Sequence, residues 1–162
     1  MLKSFDYIVD RNTRLLVIGS MPGEASLRAK EYYAHPQNLF WRFVFEAFSE
    51  NYNNPDYSAK ISVLLKHHVG LWDVAKNCIR QGSADATISK VKCNNFHELL
   101  NSYPGILKFL FNGKKAYELF QKFNPDLLKN RDYVILPSTS PANASIKMEI
   151  KRKMWISELK KL

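Results

Sequence analysis

Cysteine is scarce in this sequence of 162 residues, and this limits the cofactors that the chain can bind. Cys78 and Cys93 are its two cysteines, and they do not form a Cys-x-x-Cys pair. Two thiolates cannot ligate an iron–sulfur cluster of the usual four-thiolate kind. His35 has no second ligand at metal-binding spacing, and His67 and His68 are distant in the chain. We therefore expect no metal and no other cofactor, two reduced thiols, and a pocket-shaping or structural role for His35.

Long hydrophobic runs and an excess of acidic residues are also missing. No apolar stretch approaches the ~20 residues of a membrane-spanning helix, and residues 1–6 lack the charged-then-apolar pattern of a secretion signal. These absences predict a cytoplasmic protein with no membrane partner. Positive charge is abundant, with 24 Lys and Arg against 15 Asp and Glu and a formal net charge of +9. That balance suits a polyanionic partner such as a nucleic acid.

The pattern of apolar residues predicts one α/β domain over residues 1–162, which we expect to be a monomer. Four short, nearly continuous apolar runs are typical of buried parallel strands: Arg14 to Ile18, Val69 to Val74, Ile106 to Phe111, and Tyr133 to Leu136. Apolar residues spaced three and four apart predict helices over 39–48, 114–123 and 148–159. A capping-box pattern predicts a further helix over 96–103. Alternating strands and helices predict a parallel sheet between two layers of helices.

The most distinctive segment follows the first predicted strand. The apolar run ends at the turn Gly19-Ser-Met-Pro-Gly23, and the block Tyr32-Tyr-Ala-His-Pro-Gln-Asn-Leu-Phe-Trp41 comes soon after. In α/β proteins, ligands bind at the loops that leave the carboxyl ends of strands. A turn shaped by Gly19, Pro22 and Gly23 lets backbone N–H groups approach a ligand closely. The segment therefore predicts a pocket for a flat, polar ligand, and a plain tight turn is the alternative.

Four segments of the chain resemble the hypoxanthine-DNA glycosylase branch of the uracil-DNA glycosylase superfamily. They are the two just described, Gly70-Leu-Trp-Asp-Val74 and Leu136-Pro-Ser-Thr-Ser-Pro-Ala-Asn-Ala144. The resemblance implies a three-layer α/β/α fold with strand order 2-1-3-4 among the four apolar runs. It also implies an enzyme that flips 2′-deoxyinosine out of DNA and hydrolyses its N-glycosidic bond, without a lyase step. An enzyme specific for uracil opposite guanine and a non-catalytic nucleic-acid-binding module remain as alternatives.

Asn38 is the catalytic residue that this resemblance implies. Its amide can position a water molecule near the sugar or hydrogen-bond the departing base. On the sequence alone, an asparagine directly before a predicted helix is explained equally well as an N-cap. Ser20 and Met21 are implied to bind the base. Better-known relatives carry a carboxylate or an amide in this turn, whereas Ser20 is too weak a base to replace one, so excision would rely on stabilising the leaving group.

Two further side chains are implied to contact the base. Tyr33 would stack on the flipped base; Tyr32 is the alternative, and one of the pair belongs to the core. Asp73, at the end of the second predicted strand, would accept the N1–H of hypoxanthine, a donor that adenine lacks. The competing explanation for Asp73 is an N-cap of a helix over residues 74–78.

The segment from Leu136 to Ala144 is implied to be a second DNA-facing loop, with a Pro-rich turn as the alternative. Ser138 and Ser140 would contact phosphates. Ala142 lies where relatives insert a leucine into the duplex. Because alanine is a poor wedge, we expect Asn143 or another loop to take that role. The basic segment 147–162 is interpreted as a solvated helix face rather than a DNA contact.

Overall fold

A four-stranded parallel sheet forms the centre of the molecule. The computed structural model describes residues 1–162 and contains seven strands: β1 Leu2–Lys3, β2 Leu15–Gly19, β3 Val69–Asp73, β4 Ala75–Ile79, β5 Ser89–Cys93, β6 Lys108–Asn112 and β7 Asp132–Leu136. The parallel sheet has the order β3-β2-β6-β7. The numbers in this order differ from the predicted 2-1-3-4, because the strand labels also count β1, β4 and β5, which the sequence does not predict. The four predicted apolar runs themselves lie in the order second, first, third, fourth.

Six α-helices cover the two faces of this sheet: α1 Glu24–Ala29, α2 Phe40–Ala47, α3 Tyr57–Lys66, α4 Phe96–Ser102, α5 Lys114–Phe123 and α6 Met148–Leu159. Side chains alternate between the faces of a strand. Leu16 and Ile18 of β2 therefore share a core with α4 and α5, and Leu15 and Val17 share another with α2, α3 and α6. The predicted three-layer α/β/α fold is confirmed. None of the helices combines the length and apolar character needed to cross a bilayer.

A second, antiparallel sheet of β1, β4 and β5 corrects one expectation. Residues 74–78, which the sequence allows as a helix, lie almost entirely within β4. Asp73 therefore ends a strand and caps no helix. The apolar residues Val74, Ala75 and Cys78 suit a helix or a strand by spacing alone. Residues 75–79 form a strand because they pair with β1 on one side and with β5 on the other.

The end of β2 is joined to the end of β3, which fixes the positions of the two segments that follow. Gly19 pairs with Asp73 across the sheet. Past the strands, the Val74 N–H donates to the Gly19 carbonyl at 2.8 Å, and the Ala75 N–H donates to the Ser20 carbonyl at 3.0 Å. The turn after β2 therefore has a fixed place beside Asp73.

Candidate active site

A cavity of about 1030 Å³ lies at the carboxyl edge of the parallel sheet. The structure brings together there the predicted site residues from four separate segments of the chain. The lining includes Gly19, Ser20, Met21, Pro22, Gly23, Tyr33, Asn38, Asp73, Ser138, Ser140, Ala142 and Asn143. This volume is at the upper end of the ~300–1,000 Å³ of small-molecule pockets, so it can hold a base together with its sugar.

Asn38 lies between a tight turn and the first residue of α2. Its Oδ1 accepts a hydrogen bond from the Phe40 N–H at 3.0 Å, and its own N–H donates to the His35 carbonyl at 2.9 Å. Because the atom that faces an N–H donor must be the oxygen, Nδ2 is the end of the amide without a protein partner. The N-cap of α2 is Leu39, so Asn38 is not the helix cap that the sequence allows. Its bond to the Phe40 N–H is an Asx turn, which orients the amide and leaves its NH₂ group for a ligand.

The turn after β2 offers two backbone donors to the cavity. The N–H groups of Ser20 and Met21 donate to no acceptor within the protein, although both residues are buried. A Cβ at position 19 would collide with the Asp73 carboxylate and would lie 3.1 Å from the Tyr33 hydroxyl. Only glycine fits such a close approach at Gly19. Two adjacent unpaired amides at the end of a strand are suited to bind an anionic or carbonyl acceptor.

Arg80 holds this turn in place through hydrogen bonds to its backbone carbonyls, and sequence reasoning missed it. Its guanidinium is buried and donates to the carbonyls of Pro22 at 2.6 Å and Met21 at 3.4 Å. Its Nε donates to the Gly82 carbonyl at 2.8 Å. Arg80 therefore joins the turn to residues 80–88, which we call the β4–β5 loop. No local pattern marks Arg80, because its partners in the turn are 58 and 59 residues away in the chain.

Arg80→Met is expected to lower the free energy of unfolding by about 2–3 kcal/mol, in the range for loss of a buried hydrogen-bond network. The reason is that three carbonyls lose a charged donor while the side-chain stem is retained. Urea unfolding measures the change. Arg14→Met is the matched control, because the exposed Arg14 guanidinium also donates to backbone carbonyls but only at 3.3 and 3.5 Å. Equal destabilisation by the two variants would contradict the assignment.

Tyr32 and Tyr33 both line the cavity, but only Tyr32 belongs to the buried core. Tyr32 is 3% exposed, and its carbonyl accepts a hydrogen bond from Trp41 Nε1 at 2.8 Å. The Tyr33 ring packs on Phe40 with 4.3 Å between centroids. Tyr33 also has φ of 54°, a left-handed conformation that costs a non-glycine residue ~1–3 kcal/mol. Burial, with the nearby Asp73 charge, raises the pKa of Tyr33, so that its hydroxyl stays neutral.

Two aspartates line the cavity together with Glu24, and the second aspartate was missed by sequence reasoning. Asp73 is 3% exposed, and its Oδ2 has no hydrogen-bond partner. Burial, with the Asp85 charge adding and the Arg80 charge opposing, raises the pKa of Asp73 to about 7. Asp85 is half-buried and accepts a hydrogen bond from Ser20 Oγ at 2.8 Å. Burial raises the pKa of Asp85, and the Ser20 bond and nearby cations oppose that shift.

The loop after β7 is tied to the sheet by a pair of side chains. Asn112 Nδ2 donates to Thr139 Oγ1, and the Thr139 N–H donates to Asn112 Oδ1, both at 3.0 Å. Both residues are buried, so these bonds fix the base of the loop. The Leu39 N–H also donates to the Thr139 carbonyl at 3.1 Å, which links the loop to the segment that contains Asn38.

The outer part of this loop contains the four residues predicted to face DNA. Ser138 Oγ accepts from the Ser140 N–H, and Ser140 Oγ accepts from the Ala142 N–H, both at 3.2 Å. These bonds form a tight turn and leave both hydroxyl protons free to donate. Ala142 is exposed and Asn143 half-buried. The Asn143 carbonyl accepts a hydrogen bond from Lys151, whose buried side chain anchors the loop to α6.

A polar cavity at the carboxyl edge of a parallel sheet, in an α/β/α fold, is the arrangement of an α/β ligand-binding protein or enzyme. Unpaired donors and a buried unpaired carboxyl oxygen line this cavity. The chain belongs to the uracil DNA glycosylase superfamily, since the family model of that description matches residues 5–160.

Individual relatives are consistent with this membership. The chain is 38% identical over 143 residues to a protein of Methanosarcina acetivorans named hypoxanthine DNA glycosylase, with 87% of each chain covered. It is 36% identical, with the same coverage, to a protein of that name from Methanosarcina barkeri. A solution NMR structure of a candidate uracil DNA glycosylase from Methanosarcina acetivorans superposes with a TM-score of 0.85 at 33% identity. That match covers 98% of this chain and 96% of the other.

Proposed function

We propose that this protein is a monofunctional hypoxanthine DNA glycosylase that acts as a single-domain monomer on DNA containing deaminated bases. It removes hypoxanthine from 2′-deoxyinosine and leaves an abasic site. One observation carries the proposal. The same cavity holds unpaired donors, on Asn38 and on the amides of Ser20 and Met21, and an unpaired acceptor, Asp73 Oδ2. The hypoxanthine edge presents the complementary groups, a carbonyl oxygen and an N1–H.

Asp73 selects the base in this proposal. Its ionised carboxyl accepts the N1–H of hypoxanthine, whereas adenine presents a lone pair at the same ring position and is repelled. The buried position of Asp73 strengthens this discrimination, because an unpaired polar group is costly where water cannot replace the lost partner. Tyr33 supplies the flat face that replaces the stacking lost when the base leaves the duplex.

Bond cleavage depends on stabilisation of the leaving group. As the C1′–N9 bond breaks, its electron pair moves onto the purine, where it is delocalised over the ring nitrogens and O6. Asn38 Nδ2 and the unpaired amides of Ser20 and Met21 are donors suited to this developing charge. Such donors stabilise the transition state strongly because they are held in position before the reaction begins.

DNA binding is assigned to the basic surface and to the loop after β7. The net charge of +9 favours phosphate contacts. The free hydroxyl protons of Ser138 and Ser140 can donate to phosphate oxygens. Asn143 is the side chain of this loop that we assign to the space left by the flipped nucleotide, since Ala142 is too small to fill it.

Duplex oligonucleotides that contain one hypoxanthine, uracil or xanthine test the proposal. After incubation with the protein, alkali cleaves the strand wherever a base has been removed. We expect alkali-dependent cleavage at hypoxanthine and none at adenine in an otherwise identical strand. Binding without cleavage of any substrate would support a non-catalytic module instead. Preferential cleavage at uracil opposite guanine would support an enzyme specific for that mismatch. Cleavage without alkali would indicate a lyase step, for which Lys114 is the lysine that lines the cavity.

A further inference from the structure

We propose that Asp85 is the proton acceptor of this active site and that it acts on the attacking water through the Ser20 hydroxyl. The inference rests on the proposed function, because it concerns the same cavity and the same reaction. Neither Ser20 nor Met21 is a base at neutral pH, so the turn after β2 offers donors but no proton acceptor. Asp85 brings a carboxylate to that turn from a distant part of the chain.

The contacts of Asp85 indicate a chemical role rather than a structural one. Its carboxylate accepts one hydrogen bond from the protein, from Ser20 Oγ at 2.8 Å. It forms no ion pair with Arg80 or Lys115, although both charges act on it. It also caps no helix, because the short 3₁₀ turn Asp85–Thr87 has no side-chain cap. A half-buried carboxylate with so few partners is not explained by stability.

The β4–β5 loop holds this carboxylate at the wall of the cavity. Thr87 Oγ1 donates within the loop and accepts the Gln81 N–H at 3.1 Å. Ser83 Oγ accepts the Glu24 N–H at 2.8 Å, which attaches the loop to the start of α1. With the Arg80 contacts to the turn, these bonds fix Asp85 relative to Ser20. The position of the carboxylate is therefore set before DNA binds.

Ser20 is arranged to relay a proton. Its hydroxyl hydrogen is directed at Asp85, so the lone pairs of Oγ remain to accept a hydrogen bond from a water molecule. When the C1′–N9 bond breaks, the electron pair leaves with the purine and the water oxygen bonds to C1′. The water proton moves to Ser20 Oγ while the Ser20 proton moves to Asp85 Oδ1. Asp85 becomes neutral and then releases its proton to the departed purine anion or to solvent.

Single-turnover rates on hypoxanthine-containing duplex DNA test this relay. We expect Asp85→Asn and Ser20→Ala each to slow excision by about 10²-fold or more, the usual contribution of a general base. Because the two groups act as one unit, the double variant should be no slower than the slower single variant. Affinity for the same duplex with a non-hydrolysable 2′-fluoro-deoxyinosine and the thermal midpoint should stay near the wild-type values, since neither depends on proton transfer.

Asp132→Asn is the matched control, because it makes the same substitution at an exposed aspartate that does not line the cavity. We expect it to retain excision within about threefold of wild type, as for a surface change away from the chemistry. The relay is wrong if Asp85→Asn or Ser20→Ala excises at nearly the wild-type rate, if Asp132→Asn is as slow as Asp85→Asn, or if the double variant is much slower than both. Absence of wild-type hypoxanthine excision would instead refute the proposed function itself.

Discussion

Asn38→Ala is expected to slow hypoxanthine excision by about 10²–10³-fold, the typical effect of removing one preorganised donor to a developing anion. The fold should survive, because loss of one side-chain-to-backbone hydrogen bond costs typically ~1 kcal/mol against the ~5–15 kcal/mol that stabilise a domain. Single-turnover excision and thermal unfolding, measured on the same preparation, separate the two effects. A variant within about tenfold of the wild-type rate would contradict the assignment of Asn38.

Asn38→Asp separates the hydrogen bond to Phe40 from the chemistry. Aspartate retains an oxygen for the Phe40 N–H and forms Asx turns as asparagine does, so stability should be preserved. It has no donor at neutral pH, however. Because the Phe40 N–H already occupies Oδ1 in the wild type, we expect Asn38→Asp to be as slow as Asn38→Ala. Wild-type activity in the aspartate variant would show instead that Asn38 orients the attacking water by accepting its hydrogen bond.

Asp73→Asn is expected to stabilise the folded protein at alkaline pH. Burial raises the pKa of Asp73 from 3.8 to about 7, so the folded state binds this proton more tightly than the unfolded chain. The stabilisation of the folded state by this proton is fully present below about pH 4 and is lost as the pH rises through about 7. The shift of about three pKa units corresponds to at most ~4 kcal/mol. We therefore expect the variant to gain about 2–4 kcal/mol at pH 8 and almost nothing at pH 4.

The same substitution tests how Asp73 takes part in excision. If the ionised form accepts the hypoxanthine N1–H, the wild-type excision rate should rise between pH 6 and 8. Asparagine does not ionise, so the excision rate of Asp73→Asn should lack the part of this rise that Asp73 causes. Urea unfolding and single-turnover rates over this pH range measure both effects. Asp132→Asn is the control, because Asp132 is an exposed aspartate at the start of β7 and its replacement should change stability by no more than ~0.5 kcal/mol. Equal alkaline stabilisation in both variants would contradict the role of burial.

The sequence predicts well those parts of the fold in which a local pattern and the tertiary structure agree. Three of the four parallel strands, β2, β3 and β6, are buried almost throughout and therefore appear as continuous apolar runs. The fourth, β7, is an edge strand on which Tyr133 and Ile135 are exposed. The helices over 114–123 and 148–159 have the predicted bounds. Asn38 and Asp73 are found at the ends of elements, where α/β proteins place their ligand-binding residues. The family resemblance then supplied roles that spacing alone left open.

The missed features depend on contacts that no local pattern contains. Residues 74–78 have a spacing that suits a helix or a strand, and only the pairing of β4 with β1 and β5 decides between them. Ser20 and Asp85 are 65 residues apart, and Asp85 lies in a polar loop that resembles any surface turn. Arg80 is equally inconspicuous, because its partners are backbone carbonyls. Tyr32 and Tyr33 are identical in type, and only packing assigns one to the core.

The location of Asp85 has a consequence for how this chain can diversify. Its carboxylate lies on a hairpin loop whose residues 81–87 contribute no buried side chain to the core. Replacement, lengthening or exchange of that loop should therefore alter the reaction while leaving the folding of the parallel sheet almost untouched. Asn38 has no such freedom, since its amide also supports the first turn of a buried helix. Evolution and laboratory selection can therefore change the proton-transfer step at the β4–β5 loop without rebuilding the core.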